Sequence, residues 1–551
     1  MRLRPRHELI DLAIASICEN GYVGEAQVEE IASRLKLPSS RVYGFLTQFG
    51  ELPGKASRKV VRVCAGPACY LNGADDLYAA LKDKAHAGTD VIRDPGLGSW
   101  HRSPAVRVEY PDGKAVLMEG SSAWQAFDAL PGPENPGEDE RGGTGDGAAS
   151  AIQAMPGSRL SPWCEAMAAG SMPEGWNPGL FGWASEHRVE ALRSIGEGGT
   201  PKNSAYGGLP RMLGAAAATQ SPTLICDAVG EEVENNAGNT VTALNARAVA
   251  AGALLAGAIC GAGEILLYVR WNEGATTAAM EDSLREFLPS SGMNASVHAG
   301  PAHIPSSFDI GRAGVMQGIM LWQAASKYGW DEVLYDDHPL FILPADIIYK
   351  LPWLISRDGS EVAPWAHNRM VKVGGCLAFP RLVEAPEDLA VTDIVSGLGL
   401  RPERGRSFKA FHCGRSAPGP VPFGVAMEGP REEGAEILLL DSSVCMVRWA
   451  LYLARRAEKG CCGGCTPGRL APKVAVETIR AVLEGDTRGS EWPGLASLLE
   501  KAAGLALCPA LKRGIDPVLY CLANFGEEFV AHCDEGRCMA GACTTGSTVT
   551  G

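Results

Sequence analysis

The sequence lacks the features that assign a chain quickly to a common class of protein. Lys and Arg number 50 against 64 Asp and Glu, and the resulting net charge of −14 disfavours binding to nucleic-acid phosphates. No apolar signal segment opens the chain, and the apolar run 248–263 is shorter than the roughly 20 residues of a membrane span. No solenoid repeat, HExxH, Walker or nucleophile-elbow motif is found. We therefore expect a cytoplasmic protein without membrane insertion and without a nucleic-acid partner.

Length and cysteine content are the two quantities in excess. A chain of 551 residues exceeds the roughly 250–300 residues of a single core, so we expect several domains. Cytoplasmic thiols stay reduced, and the 17 cysteines are therefore core residues, metal or cluster ligands, or redox thiols. Isolated cysteines such as Cys164 and Cys260 are predicted to fill the core. Two dense groups remain, Cys64 with Cys69 and the set within residues 461–543.

Periodicity and composition give the order of elements. Two short amphipathic helices are predicted over residues 7–19 and 25–36, then a strand over 59–70 and a helix over 74–83. Residues 31–46 have a pattern similar to a helix-turn-helix, but the segment has too few basic residues for DNA binding. Gly, Pro and acidic residues predict a linker from residue 131 onward. An Ala-rich helix over 240–260 precedes the strand 264–270, and the region 444–532 is predicted to be helical.

The strongest chemical motif is the CxxC pair Cys462 and Cys465, which lies on a Gly-rich turn ahead of a helix. Cys508 follows at the end of another predicted helix. Several soft thiolates that converge on a tight glycine loop suit an iron–sulfur cluster or zinc. A redox dithiol would have the same spacing and stays an alternative.

The tail carries a second group of ligand-type residues, His532, Cys538 and Cys543. One imidazole and two or three thiols at these intervals could form a zinc site. The alternative is a tail of unliganded thiols.

Two stretches resemble the electron-input module of respiratory complex I. Residues 441–469 and 507–532 resemble the C-terminal half of its FMN- and NADH-binding flavoprotein subunit, in which the motif SCGxCxPCR and a distant cysteine bind a [4Fe-4S] cluster. Residues 28–81 are similar to the thioredoxin-like [2Fe-2S] subunit that docks on it. Both occur fused in this order in NAD-linked hydrogenases and formate dehydrogenases. The resemblance implies an oxidoreductase subunit that passes electrons from NADH through FMN to a [4Fe-4S] cluster, with other subunits of such a complex as partners.

The same resemblance implies a multi-domain α/β fold. The expected domains are a helical N-terminal segment (1–56), a thioredoxin-like domain (57–130), a linker (131–179), an FMN/NADH-binding-like domain (180–370), a ubiquitin-like β-grasp domain (371–440), an iron–sulfur helical bundle (441–532) and a Cys-rich tail (533–551).

Departures from the family pattern limit the cofactors that we expect. Cys462, Cys465 and Cys508 match three [4Fe-4S] ligands, but Gly468 stands at the fourth, which the neighbouring Cys461 could replace. A [4Fe-4S] cluster is still expected.

The [2Fe-2S] site is less complete. Cys64 and Cys69 match one ligand pair, whereas Gly96 and Trp100 stand at the other, with His101 as a conceivable third ligand. We therefore expect this cluster to be lost and the two thiols to be vestigial or redox-active.

The flavin and nucleotide region departs most. Its candidate binding residues are Gly196, Gly198, Gly199, Lys202 and Asp227. Glu197 stands where the family has an arginine, and a carboxylate beside a phosphate is repulsive. Binding of FMN and NAD is therefore predicted to be weakened or lost. The alternative function is a non-catalytic relay or scaffold subunit of a larger redox complex.

Overall fold

The computed structural model of the chain describes residues 9, 12, 13, 15, 16, 23–46, 59–127, 152–197, 209–229, 237–270, 274–300, 334–356, 368–425, 436–460, 465–506 and 510–543. Short gaps within these ranges lie at 86–87, 95–96, 98–101, 111–114, 157, 219, 336–337, 378–379, 387–388, 403–404 and 414–416.

A small α/β unit follows two N-terminal helices. Its elements, after α1 (Glu25–Leu35) and α2 (Ser39–Leu46), are β1 (Lys59–Cys64), α3 (Pro67–Leu71), α4 (Ala74–Lys84), β2 (Thr89–Asp94), β3 (Ala105–Glu109), β4 (Ala115–Glu119) and a 3-10 helix (Gly120–Phe127). The sheet order is β2-β1-β3-β4, with only β1 and β2 parallel. The strand predicted to reach residue 70 ends at Cys64, because Gly66 and Pro67 start α3 and proline suits the first helical position.

The central unit is built on a five-stranded sheet. Its elements are α6 (Gly179–Glu186), α7 (Arg188–Glu197), α8 (Leu209–Ala217), β6 (Thr223–Asp227), α9 (Ala237–Leu244), α10 (Ala246–Cys260), β7 (Glu264–Arg270), α11 (Gly274–Ser291), β8 (Ala295–Gly300), β9 (Leu334–Tyr335), β10 (His338–Pro344), α12 (Ala345–Ile348) and α13 (Leu351–Ile355); the preceding helix, α5, is Pro162–Ala168. The sheet order is β8-β7-β6-β10-β9, and all pairs except β9 with β10 are parallel.

The order of the strands reverses between β6 and β10, which are parallel neighbours in this sheet. The strands β6, β7 and β8 follow one another to one side, whereas β10 lies on the other side of β6. The carboxyl ends of these strands are therefore a topological switch point, where open α/β sheets bind ligands. Asp227 ends β6 and pairs in register with Pro344 at the end of β10.

The predicted single helix over 240–260 is two helices. Asn245 separates them, because its side chain accepts a hydrogen bond from the Ala248 amide (3.0 Å) and caps α10. The same side chain donates to the Ser171 carbonyl (2.8 Å). Among the described residues, no single helix is long and apolar enough to cross a membrane. The pair Gly238–Leu244 and Ala246–Cys260 together has the length and composition of a membrane span, but the two helices are bent by 114°.

A six-stranded mixed sheet lies next along the chain. It contains β5 (Ile152–Ala154), β11 (Asn368–Gly375), β12 (Arg381–Pro386), β13 (Phe408–Cys413), β14 (Ala417–Pro422) and β15 (Glu436–Asp441), with α14 (Val391–Gly397) between β12 and β13. The order is β14-β13-β15-β11-β12-β5. β5 and α5 fall inside the segment 131–179 that composition predicts to be a linker. Buried Ile152 and Cys164 join them to the central core, because a few apolar residues within a polar segment are enough to anchor it.

The C-terminal unit is a helical bundle. Its elements are α15 (Met446–Gly460), α16 (Thr466–Glu484), a 3-10 helix (Thr487–Glu491), α17 (Trp492–Leu505), α18 (Ala510–Asn524) and α19 (Gly526–Asp534). Trp449 and Phe529 are fully buried in its core. Ala68 of α3 belongs to the same core, so the N-terminal α/β unit packs directly on the bundle.

Candidate metal centre

Four ligand-type side chains meet where the bundle begins and ends. The cluster, called here the Cys3His cluster, consists of Cys445, His532, Cys538 and Cys543, and its ligand atoms all lie within 4.8 Å of one another. Cys445 directly precedes α15, His532 lies on α19, and the last two cysteines lie in the turn that follows α19. The two helices therefore bring together thiols that are 98 residues apart in sequence.

Glu528 of α19 holds the two helices in this arrangement. Its Oε2 accepts a hydrogen bond from the Met446 amide at the start of α15 (3.0 Å), and it pairs with Lys409 of β13. One turn further along α19, His532 donates from Nδ1 to the Glu528 carbonyl (2.7 Å). This bond directs Nε2 toward Cys445, because fixing one ring nitrogen sets the role of the other.

The turn after α19 is tight. Gly536 and Gly541 both adopt positive φ, 59° and 63°, a conformation that favours glycine. The Gly541 amide donates to the Cys538 carbonyl (3.0 Å). This turn returns the chain so that Cys543 reaches Cys445.

The distances within the cluster agree with one tetrahedral ion. Cys445 Sγ lies 3.5 Å from His532 Nε2 and 3.6 Å from Cys543 Sγ. Zn–S and Zn–N bonds of about 2.3 and 2.1 Å place neighbouring ligand atoms about 3.5–3.8 Å apart around a tetrahedral ion. A cubane binds its ligands through four separate irons and spaces them more widely. The donor set of three thiols and an imidazole is also the soft set that zinc prefers.

Protons are shared within the cluster. A hydrogen bond from Cys543 lowers the pKa of Cys445, burial opposes this shift, and a hydrogen bond from His532 lowers the pKa further, to about 4. Burial by itself would lower the pKa of His532, but its hydrogen bonds to Cys445 and to the Glu528 carbonyl raise it to about 9. The hydrogen bond that Cys543 donates to Cys445, together with burial, raises the pKa of Cys543. A thiolate is thus already favoured at Cys445, and metal binding would displace the remaining protons.

Sequence reasoning found three of these four residues and missed Cys445. Its only sequence signal is a cysteine just before an amphipathic helix, which is also the usual setting of a core thiol. The nearest member of the cluster in sequence, His532, is 87 residues away.

The iron–sulfur candidates are only partly described. Cys461, Cys462 and Cys508 lie outside the described residues. Cys465 is half-buried and forms the N-cap of α16, where its Sγ accepts from the Gly468 amide (3.4 Å). A Cβ added to Gly468 would lie 3.1 Å from that sulfur, so the substituted ligand position faces Cys465.

The end of α15 and the start of α18 lie close together, and these helix ends are near the other candidate ligands in sequence. Gly514, in the first turns of α18, packs on Ala457, in the last turn of α15; a Cβ on Gly514 would lie 3.1 Å from the Ala457 Cβ. The end of α15, which precedes Cys461 in sequence, therefore lies beside the start of α18, which follows Cys508.

The [2Fe-2S] candidates Cys64 and Cys69 are both 2% exposed, at the end of β1 and in α3. Gly96, Trp100 and His101 lie outside the described residues. The segment 64–72, called here the thiol loop, faces the bundle: the Tyr70 ring stacks on Tyr452 with centroids 4.1 Å apart.

The flavin and nucleotide candidates are not assembled in the described part of the chain. Gly196 lies in α7, whereas Gly198, Gly199 and Lys202 fall outside the described residues. Asp227 accepts a hydrogen bond from the Val229 amide (3.0 Å), which turns its carboxylate into its own loop.

Isolated thiols behave as the composition predicts. Cys164 and Cys260 are 0% and 1% exposed, and burial raises the pKa of Cys260 to about 12.

Two parts of the chain match known families. Residues 4–103 match the thioredoxin-like [2Fe-2S] ferredoxin family, and residues 448–532 match the NADH-ubiquinone oxidoreductase-F iron–sulfur binding region. The fold is similar to a chain in the crystal structure of an NAD+-reducing [NiFe]-hydrogenase in the air-oxidized state, with a TM-score of 0.75. The two share 16% identity, and the alignment covers 97% of this chain and 94% of that one.

Curated relatives are more similar in sequence but match over shorter stretches. The NADP-reducing hydrogenase subunit HndC of Solidesulfovibrio fructosivorans is 25% identical over 218 residues, which are 38% of this chain and 44% of the relative. The F 2 subunit of the NADH-quinone oxidoreductase of Rhizobium meliloti (strain 1021) is 27% identical over 181 residues, which are 30% of this chain and 42% of the relative. The chain thus spans less than half the length of these two relatives. It unites in one polypeptide a thioredoxin-like [2Fe-2S] ferredoxin region and an iron–sulfur binding region of the NADH-ubiquinone oxidoreductase F type, as the sequence resemblance predicts.

Proposed function

We propose that the chain is an electron-transfer subunit of a multi-subunit redox complex, of the NADH dehydrogenase flavoprotein type. The union of two iron–sulfur family regions in one chain supports this function. So do relatives that are subunits of a hydrogenase and of an NADH-quinone oxidoreductase. Its partners are then other subunits of a complex of the hydrogenase, formate dehydrogenase or complex I type.

The observation that carries the proposal is the position of Cys465 at the start of α16, in a bundle where the end of α15 lies beside the start of α18. Cys462, Cys465 and Cys508 would be the three thiolate ligands of a [4Fe-4S] cluster, with Cys461 as the candidate for the ligand that Gly468 cannot supply. Such a cluster carries single electrons. The Gly468 amide donates to the Cys465 sulfur and orients that side chain.

The Cys3His cluster is proposed to bind one zinc ion. Four protein ligands would leave no open position for substrate, which is the arrangement of a structural site. Zinc would then tie the tail to the start of α15. This role is independent of the electron path.

Turnover of NADH through FMN is proposed to be weakened. Asp227 ends β6, and Asp346 lies in α12, just after the neighbouring strand β10 ends at Pro344. Burial is the main cause of the raised pKa of Cys226, and both carboxylates add to it. Two negative charges at this edge oppose the phosphate of a nucleotide. These residues do not fit the flavin, and we derive no step through it. A non-catalytic relay or scaffold subunit is therefore the second candidate function.

The test is metal analysis and visible spectroscopy of anaerobically purified full-length protein. We expect about four iron ions and about one zinc ion per chain, with broad iron–sulfur absorption and little flavin. Cys465→Ser should lose iron and keep zinc, whereas Cys538→Ser should lose zinc and keep iron. Cys533→Ser is the matched control, because Cys533 lies beside His532 on α19 but outside the Cys3His cluster, and its thiol donates to the Gly489 carbonyl.

The outcomes separate the candidates. A preparation without iron contradicts electron transfer and leaves the scaffold function. A stoichiometric flavin band that NADH bleaches contradicts weakened turnover. Loss of both metals in either ligand variant would mean that the two sites are not independent.

A further inference from the structure

We propose that the Cys3His cluster, when it holds its metal, positions the thiol loop of the thioredoxin-like unit, and that Arg448 is the positioning residue that links the two. This inference rests on the proposed zinc site and goes beyond it. It assigns to the metal a role in the interface between two units of the chain.

Arg448 contacts the cluster, the tail and the thiol loop at the same time. Its amide donates to Cys445 Sγ (3.5 Å), and its guanidinium donates from Nη1 to the Ala542 carbonyl (3.0 Å), next to Cys543. Its carbonyl accepts a hydrogen bond from the Tyr70 hydroxyl (3.2 Å). A single residue in the first turn of α15 therefore joins the two ends of the metal site to the loop that carries Cys69.

The neighbouring turn of α15 holds the other end of the thiol loop. The Tyr452 hydroxyl donates to the carbonyl of Ala65, which directly follows Cys64 (2.9 Å). Its ring packs against the rings of Tyr70 and Trp449, with centroid distances of 4.1 and 5.0 Å, and those two rings lie 5.8 Å from each other. The start of α15 is thus the surface on which the thiol loop rests.

The metal decides how firmly this surface is held. Without an ion, the tail turn is held by the packing of Cys538, Ala540 and Cys543 on the core of the bundle and by hydrogen bonds such as Arg448 to the Ala542 carbonyl. Metal–ligand bonds from Cys538 and Cys543 to the ion that also binds Cys445 would lock the turn against α15. The locked turn would in turn fix the orientation of Arg448, whose carbonyl is the acceptor for the Tyr70 hydroxyl.

Coupling between two sites is reciprocal, which gives a quantitative expectation. If the metal strengthens docking of the thiol loop, then docking must strengthen metal binding by the same factor. The link through Tyr70 is one hydrogen bond, whose net contribution of about 1 kcal/mol corresponds to a factor of about five.

The experiment uses full-length protein and zinc alone as the added metal. Amide hydrogen exchange of residues 66–72 is compared in zinc-loaded protein, in chelator-stripped protein and in Cys538→Ser. We expect exchange in this segment to rise about fivefold when zinc is absent. Cys533→Ser, which keeps all four ligands, should behave as wild type.

Zinc affinity is then measured by chelator competition in Tyr70→Phe, which keeps the ring stack and removes the donor. We expect zinc to bind about fivefold more weakly, although Tyr70 touches no ligand. Arg448→Ala should weaken zinc binding as well, and Arg448→Lys should restore part of it, because a lysine can still donate to the Ala542 carbonyl. A purely structural role of Tyr70 would leave zinc affinity unchanged.

Two failures are distinguishable. If zinc binds at one ion per chain but its removal leaves exchange of residues 66–72 unchanged, the coupling is wrong and the zinc site stands. If no zinc binds to the wild-type protein, both the zinc site and the coupling are wrong. Unaltered zinc affinity in Tyr70→Phe also contradicts the coupling.

Discussion

Replacing His412 by glutamine should remove an acid-dependent loss of stability from the six-stranded sheet. His412 lies in β13, opposite Leu438 of β15, and is 2% exposed. Its ring packs edge-on against Trp449 of α15, with centroids 6.5 Å apart. Burial, assisted by the positive charge of Arg456, lowers the pKa of His412 to about 4.

The sign and size follow from linkage. An unfolded histidine takes up a proton near pH 6.5, whereas the folded one stays neutral down to about pH 4. The unfolded state therefore binds more protons between these values, and stability falls as the pH drops from 6.5 toward 4. Between pH 7 and pH 5 this one group should cost about 2 kcal/mol. Most carboxylates are still ionised at pH 5, so the histidine contribution can be isolated there.

The assay is the opening free energy of the β13 amides, from hydrogen exchange corrected for the intrinsic rate at each pH. Wild type should lose about 2 kcal/mol between pH 7 and pH 5, and His412→Gln should lose much less, since an amide side chain does not titrate. His187→Gln is the matched control. His187 is an exposed histidine at the end of α6, and its replacement should preserve the wild-type loss.

The absolute stability of His412→Gln is not the measurement, because a buried amide has its own cost at every pH. The measurement is the difference between the opening free energies at pH 7 and at pH 5. An equal loss in wild type and His412→Gln would refute the reasoning, and His412 would then be either protonated in the folded protein or accessible to water.

Two glycine substitutions test packing in other parts of the chain. A Cβ on Gly252 of α10 would overlap the Ile348 carbonyl oxygen of α12, so Gly252→Ala should destabilise the central unit by about 1–3 kcal/mol in urea unfolding. Gly214→Ala in α8, where nothing lies within 4 Å, should instead stabilise it by up to about 1 kcal/mol, and the opposite order would contradict the close helix contact. Gly468→Cys places a fourth thiol against Cys465 and should slow iron loss to a chelator several-fold; unchanged or faster loss would argue against a cluster at this end of the bundle.

Local sequence signals predicted local structure well. The β-branched and aliphatic run 264–270 predicted a strand with the bounds that β7 has, because a buried parallel strand needs only its own apolar residues. The break at Asn245 was missed. Alanine favours helix on both sides of it, and only the contacts of Asn245 with Ser171 and Ala248 show that the asparagine is a cap.

The two iron–sulfur family regions were recognised from motifs within short segments, which need no knowledge of the fold. The spacing of His532, Cys538 and Cys543 likewise lies within one turn of chain, and it predicted a cluster of ligands in the tail. No local signal could supply Cys445. That residue reaches the others because α15 and α19 pack in one core, where Glu528 joins the start of α15 to α19.

Residue types and short spacings therefore determined which chemistry the chain can hold: soft ligands, a thioredoxin-like strand–loop–helix and a helical cysteine bundle. Tertiary structure alone decided which ligand-type side chains lie together and which surface carries the thiol loop. The physical reason is that a metal site and an interface depend on distances of a few ångströms between residues far apart in sequence, and helix packing sets those distances.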